Sequence, residues 1–159
     1  MGQKKLIKWL KFLLVLVVVC GLLLCAVVFP GIGKEMVRTS PELVDYYWPW
    51  VAFMWILFIP CFFALSFAWK IFSNIEKEQA FSLENAKYME RISYLAGIDT
   101  VALIIGNILF LFLNINHPSV LLLSFLVGIV GIGIAVAAAV LSHLIQKAAN
   151  LQNESDLTI

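Results

Sequence analysis

The sequence predicts an all-α membrane protein, a bundle of four transmembrane helices whose third helix extends into the cytoplasm. Of the 159 residues, 62% are hydrophobic and only 13% are charged, whereas a soluble domain carries about 25% charged residues. The apolar residues form four blocks, each longer than the roughly 20 residues that cross about 30 Å of hydrocarbon. We therefore expect one membrane domain over residues 1–159, with no room for a separate soluble domain.

The predicted spans cover about residues 6–29, 49–71, 92–113 and 120–144. The first follows a lysine-rich start and is closed by Pro30-Gly31; its length and the lack of a cleavage pattern indicate an uncleaved helix rather than a signal peptide. The second begins at Pro49, among aromatic residues typical of a membrane interface. A cytoplasmic connector (72–91) joins the second and third spans, and a cytoplasmic tail (145–159) follows the fourth.

The basic residues predict the orientation of the chain. Nine of the eleven Lys and Arg residues fall on the side that holds both termini, and only Lys34 and Arg38 lie opposite. Basic residues are enriched in cytoplasmic loops, so we expect both termini to lie on the cytoplasmic side of the membrane. The loop "NINHP" is short enough to make the last two spans an antiparallel hairpin. A net charge of +1 gives no reason to expect direct nucleic-acid binding.

A row of small residues follows the fourth span at successive spacings of 4, 3, 4, 3 and 4, which place the whole row on one helix face. The row, called the small-residue seam below, consists of Ser124, Gly128, Gly131, Ala135, Ala138 and Ser142. Small residues let a second helix backbone approach closely within a membrane. We expect this face to pack against the first or third span of the same chain; a homo-oligomer interface is the alternative.

The most polar long stretch, residues 81–100, leads into the third span. Ser82 is a predicted N-cap, and a carboxylate at Glu84 in the first turn suits the helix dipole. Apolar residues then recur at intervals of three and four, with charged residues on the other faces. The third helix should therefore begin near residue 83 in the cytoplasm and continue without a break into the membrane.

Asp99 lies two turns inside the predicted third span, close to the cytoplasmic interface. An ionisable residue at this place indicates either an ion-binding group or a structural partner of a neighbouring helix. His143 is the candidate partner by depth, and Asn107 is a deeper residue that could form a hydrogen bond across the bundle. These three residues form the path of an alternative hypothesis, a small transporter or channel subunit.

Catalytic and metal-binding patterns are absent from the sequence. It contains no paired carboxylates within a span, no G-x-S-x-G, no H-E-x-x-H and no P-loop. The three cysteines lie inside apolar runs and are interpreted as small apolar side chains. His117 and His143 fall at opposite membrane faces and cannot share a metal ion. We expect no enzyme activity and no cofactor.

Two motifs are similar to those of a known family. The "F-x-x-E-N" entry to the third helix, Phe81 to Asn85, and the terminal "ESDLTI" resemble the YoaS-like family of small bacterial four-span membrane proteins, a domain of unknown function. Members are often encoded beside a very small helix-turn-helix DNA-binding protein. The resemblance therefore implies a membrane protein that binds or sequesters a small cytoplasmic transcription regulator.

The residues expected to bind that regulator lie in the connector and the tail: Phe81, Glu84, Asn85, Lys87, Arg91, Glu154, Asp156 and Leu157. The acidic tail could bind the regulator, or it could fold back against the basic connector of the same chain. A third reading of the sequence is a structural or stress-adaptation membrane protein. Apart from the regulator, the expected surroundings are the lipid bilayer and further copies of this chain.

Overall fold

The structure is a computed structural model that describes residues 2–116 and 118–157, together with the side chains of all of these except residues 3, 118, 119 and 155–157. All of the regular secondary structure in these residues is helical. Four of the helices are long and apolar enough to cross a membrane. The predicted fold class, an all-α protein with four membrane-spanning helices, is confirmed.

The helical elements of the described residues are, in chain order, α1 (Gln3–Leu23), a π-helical segment (Leu24–Val28), α2 (Phe29–Thr39), a 3-10 segment (Pro41–Tyr46), α3 (Tyr47–Glu76), α4 (Leu83–Phe112) and α5 (Pro118–Leu157). The first three of these form one continuous helix, and the 3-10 segment leads directly into α3. As predicted, α4 begins after Ser82, whose hydroxyl oxygen accepts a 3.2 Å hydrogen bond from the Asn85 backbone N–H.

The first helix does not end at Pro30-Gly31, contrary to the prediction; it continues to Thr39. Proline lacks an N–H and normally breaks a helix because it removes one backbone hydrogen bond and its ring clashes with the preceding turn. Here the turn before Pro30 is widened into the π-helical segment, which is a known way for a helix to absorb such a disturbance. Most of the interval between the first two predicted spans is therefore helical, in α2 and in the 3-10 segment.

The long helices pack in chain order: α1 against α3, α3 against α4, and α4 against α5, the last pair having the most extensive contact. Within the described residues, the backbones of α1 and α5 do not approach each other. Because successive long helices run antiparallel, the start of α1, the end of α3, the start of α4 and the end of α5 meet at one end. We call it the terminal end.

The tail predicted from residue 145 onward is a direct continuation of α5 as far as Leu157. The chain therefore does not turn back toward the connector within the described residues. At 40 residues and 1.5 Å per residue, α5 is about 60 Å long, roughly twice the thickness of the hydrocarbon layer. A large part of this helix must project beyond the membrane.

Candidate functional site

Asn85 organises the turn between α3 and α4 at the terminal end. Its side chain is completely buried, and its Nδ2 donates hydrogen bonds of 3.0 Å to the carbonyl oxygens of both Gln79 and Ala80. Its Oδ1 accepts a 2.9 Å hydrogen bond from Asn74 Nδ2. The turn also contains Glu78 in the left-handed region, with φ of 63°. The buried side chain of Asn85 thus stabilises a strained turn through its hydrogen bonds.

Glu84 and a pair of stacked rings surround this turn. The Glu84 carboxylate accepts hydrogen bonds from Asn74 Nδ2 at 3.3 Å and from the Tyr88 hydroxyl at 2.6 Å. The Tyr88 ring stacks on Phe67 with centroids 5.6 Å apart. Lys70 and Arg91 lie against these rings, with cation-to-centroid distances between 5.4 and 5.7 Å, which favours cation–π attraction. Aromatic rings therefore fix two of the basic side chains at this end.

The terminal end also holds α1 in place. Lys11 Nζ lies 2.6 Å from Glu76 Oε2, the shortest ion pair among the described residues, and 5.3 Å from the centroid of the Trp69 ring. The ion pair and the ring contact join the start of α1 to the last two turns of α3. No local sequence pattern pairs Lys11 with Glu76, since they are 65 positions apart.

The residues expected to bind a regulator divide into three groups. Phe81, Glu84, Lys87, Arg91 and Glu154 are exposed, so the structure leaves them accessible. Asn85 is buried and fully engaged inside the chain, so it cannot contact a partner; the prediction for this residue is corrected to a structural role. The side chains of Asp156 and Leu157 lie outside the described residues.

The small-residue seam of α5 faces α4. Ser142 Oγ donates a 2.7 Å hydrogen bond to the Ala86 carbonyl oxygen, and Ser93 Oγ donates another of 2.7 Å to that of Ala135. Ser124, Ala138 and Ser142 are buried, and a Cβ built on Gly128 would lie 3.3 Å from Ile104 Cδ1. The structure thus places the seam in an intramolecular contact with the third spanning helix.

A groove of about 650 Å³ lies between the helices in the middle of the molecule. We call it the central groove. It exists because α1 and α5 sit at the two ends of the row of helices, and the four long helices each contribute side chains to its wall. Most of these side chains are aliphatic or phenylalanine, including Leu16, Leu24, Phe58, Phe62, Leu103 and Val130.

Among the described residues that line the central groove, Asp99 is the one that carries a carboxylate. Its Oδ2 accepts a hydrogen bond from Cys61 Sγ at 3.5 Å, while its Oδ1 is enclosed and has no hydrogen-bond partner in the described structure. Cys61 is midway between Tyr47 and Glu76, the two ends of α3. Asp99 therefore lies deeper in the molecule than the position close to the interface that the sequence predicts.

The structure does not bring His143 or Asn107 to Asp99. The hydrogen bond from Ser142 to Ala86 puts His143 level with Ala86, which is 13 residues, or about 20 Å, from Asp99 along α4. Asn107 is completely buried, and its Oδ1 accepts a 2.8 Å hydrogen bond from Asn116 Nδ2 in the turn between α4 and α5. The predicted three-residue path is thus reduced to Asp99, while Asn107 fixes a turn as Asn85 does at the other end.

A family model described as "Protein of unknown function (DUF2975)" matches residues 31–159, more than half of the chain. The chain belongs to the DUF2975 family. It is also 28% identical over 153 residues to the uncharacterized membrane protein YoaS of Bacillus subtilis (strain 168), covering 95% of this chain and 96% of that protein. The resemblance to the YoaS-like family is confirmed.

No solved structure matches the chain. The DUF2975 match begins at Gly31 and so includes α3, α4 and α5, with the buried asparagines, the seam and Asp99. The residues of α1 that line the central groove lie before the matched part of the chain. The description of YoaS as a membrane protein agrees with the four helices of this chain that are long and apolar enough to cross a membrane.

Proposed function

We propose that this DUF2975 protein is a non-enzymatic binding protein of the bacterial cytoplasmic membrane that holds a small helix-turn-helix regulator at its terminal end. The observation that supports this proposal most strongly is the continuous helix α5. Since Ser142 bonds to Ala86, α5 passes the start of α4 near residue 145 and projects about 18 Å further, to Leu157. Ala149 is still buried in this part of α5, whereas residues 150–154 are exposed. A helix end of this kind is a suitable support for a soluble partner.

The proposed docking surface combines the projecting helix with the start of α4. It consists of Phe81, Glu84, Lys87, Arg91, Leu151 and Glu154, and we call it the terminal surface. Its apolar members are strongly exposed, Phe81 by 61% and Leu151 by 58%. Exposed apolar side chains rimmed by charge are typical of protein-binding sites. Asn85 acts beneath this surface by holding the turn that carries Phe81.

The orientation forms part of this proposal. The terminal end carries the lysines of the α1 start and the basic residues of α3 and α4, and the positive-inside rule then places both chain termini and the terminal surface in the cytoplasm. A regulator docked there would be withheld from DNA for as long as it remained bound.

Co-purification with the product of the neighbouring gene, expected to be a small helix-turn-helix protein, is the direct test. We expect the wild-type protein in detergent to retain this regulator, and the double variant Lys87→Glu with Arg91→Glu, or removal of residues 154–159, to release it. Lys34→Glu with Arg38→Glu makes the same charge change at the opposite end and should retain the regulator. Equal recovery with all variants, at unchanged melting temperature, would contradict the terminal surface as the docking site.

A second candidate function is transport through the central groove, favoured by the position of Asp99 in its wall. An ionisable residue midway along a spanning helix is a functional group by default. For this function, Asp99→Asn should abolish a proton- or cation-coupled flux into proteoliposomes while Asp45→Asn, in the exposed 3-10 segment, retains it. A wild-type protein that gives no flux with any gradient would remove this candidate.

A further inference from the structure

The central groove combines two properties that rarely occur together in a membrane protein. Its wall is apolar along four helices, and one carboxylate, Asp99, is set into that wall. The groove opens where α1 and α5 fail to meet, so its mouth lies between spanning helices. In a bilayer such a mouth faces the lipid, and a molecule dissolved in the membrane can enter from the side.

The Asp99 carboxylate has acceptor capacity that the protein does not use. An ionised carboxylate offers about four acceptor positions, and this one receives only the Cys61 thiol, a weak donor, on Oδ2. Oδ1 has no partner, and in the part of the chain that the structure describes no basic side chain forms an ion pair with Asp99. Because Asp99 is part of the groove wall, a positive group that enters the groove comes next to this carboxylate.

The composition of the wall limits what can bind. A bare divalent cation requires several oxygen ligands, but among the described residues that line the groove only Asp99 and Thr100 carry side-chain oxygens. An anion would meet the carboxylate with like charge. The volume of about 650 Å³ falls within the usual range of small-molecule sites, about 300–1,000 Å³. The chemistry that fits is one positive charge on an apolar body.

We infer that the central groove binds a single-chain amphiphilic amine, with its ammonium group paired to Asp99 and its alkyl chain against the apolar wall. The ammonium supplies the charge and the hydrogen-bond donors that the carboxylate lacks. The alkyl chain is buried against side chains such as Phe58, Phe62 and Leu103. This site goes beyond the docking of a regulator and requires neither that partner nor any transport.

A photoreactive alkylammonium tests the site directly. Purified protein in nanodiscs is irradiated with a dodecylammonium that carries a diazirine on its chain, and the labelled peptides are mapped by mass spectrometry. We expect labels on groove residues of α1, α3 and α5, competed by dodecyltrimethylammonium and much less by dodecanol. Asp99→Asn should reduce the labelling at least about tenfold, because it removes a charge pair from a low-dielectric site.

Two variants keep the experiment decisive. Cys61→Ala removes the one hydrogen-bond donor to Asp99 among the described residues and leaves the carboxylate in place, so labelling should persist or increase. Asp45→Asn removes a carboxylate outside the groove and should leave labelling unchanged. Equal labelling of wild type and Asp99→Asn at equal melting temperatures, or equal competition by dodecanol, overturns the inference, as does labelling confined to lipid-facing residues outside the groove.

Discussion

The indole Nε1 of Trp55 donates a 2.9 Å hydrogen bond to the carbonyl oxygen of Cys25, 30 residues earlier in the chain. In the π-helical segment the Phe29 N–H bonds to the Leu24 carbonyl, five residues back. The same spacing would assign the Cys25 carbonyl to Pro30, which has no N–H. Trp55 therefore supplies, from α3, the donor that the proline removes from the first helix.

Replacing that donor should destabilise the protein. Trp55→Phe keeps an aromatic ring but leaves the Cys25 carbonyl unpaired within the membrane, at a cost of about 1–3 kcal/mol. The apparent melting temperature in detergent should fall accordingly. Trp9→Phe is the matched control, since Trp9 is exposed, and should change stability by less than about 0.5 kcal/mol.

Pro30→Ala offers a sharper check of the same relationship. An alanine at position 30 restores an N–H for the carbonyls of the preceding turn, so Trp55→Phe should cost less in that background than in the wild type. A double-mutant cycle measures the difference. Additive effects of the two substitutions would show that the tryptophan does not replace the missing proline donor.

Close contacts of two glycines should make them intolerant of a single methyl group. A Cβ on Gly131 would overlap Thr100 Oγ1, and one on Gly106 would overlap the Phe53 ring. Gly131→Ala or Gly106→Ala should therefore destabilise the protein by about 1–3 kcal/mol through overpacking.

The controls for this prediction lie on the same helices. Gly133 on α5 and Gly97 on α4 have nothing within 4 Å of an added Cβ, so alanine there should be neutral or slightly stabilising because of its higher helix propensity. Thermal unfolding of the four variants in one detergent is the measurement. If all four behaved alike, the α4–α5 and α3–α4 contacts would not be as close as the structure shows.

Asn85→Ala should loosen the α3–α4 turn. The substitution removes the donor to the Gln79 and Ala80 carbonyl oxygens, while Asn74 keeps its hydrogen bond to Glu84; each buried group left unsatisfied costs about 1–3 kcal/mol. Limited proteolysis should then cut the turn faster. Asn153→Ala, at an exposed position of α5, should leave both the melting temperature and the cleavage rate unchanged. If Asn85→Ala were cleaved as slowly as the wild type, contacts other than those of Asn85 would hold the turn.

The proposed orientation can be tested by cysteine labelling in a variant that lacks the three native cysteines. Lys77→Cys, in the exposed turn of the terminal end, should react with a membrane-impermeant maleimide only after the cells are permeabilised. Glu42→Cys, in the exposed 3-10 segment, should react in intact cells. The opposite pattern would invert the protein in the membrane and place the terminal surface outside.

Hydropathy and capping were sufficient to predict the four long helices and the start of α4, because both depend on residues close together in sequence. The spacing of the small-residue seam likewise identified one face of α5. The sequence does not tell which helix that face meets, because its spacing suits any close neighbour. The interruption at Pro30 was interpreted as an end because local chemistry alone cannot reveal a donor from Trp55.

The functional residues were harder to predict for the same reason. Asp99 and His143 are paired by approximate depth in the sequence, but the register between α4 and α5 separates them by between three and four helical turns. Asn85 and Asn107 are polar residues whose partners lie in turns, and polarity alone did not distinguish an internal bond from a binding contact. The Cys61 contact with Asp99 joins residues 38 positions apart, and no pattern within either helix indicates it.

Helix α5 extends from the central groove to the terminal surface. Gly131 and Ile134 line the central groove, and the same uninterrupted helix ends at Leu157, beyond the start of α4. The distance between Gly131 and Leu157 is about 39 Å along the helix axis, so a tilt of about 10° at the groove moves the far end by about 7 Å. A molecule that widens the gap between α1 and α5 would thus tilt α5 and displace its far end, which carries part of the terminal surface.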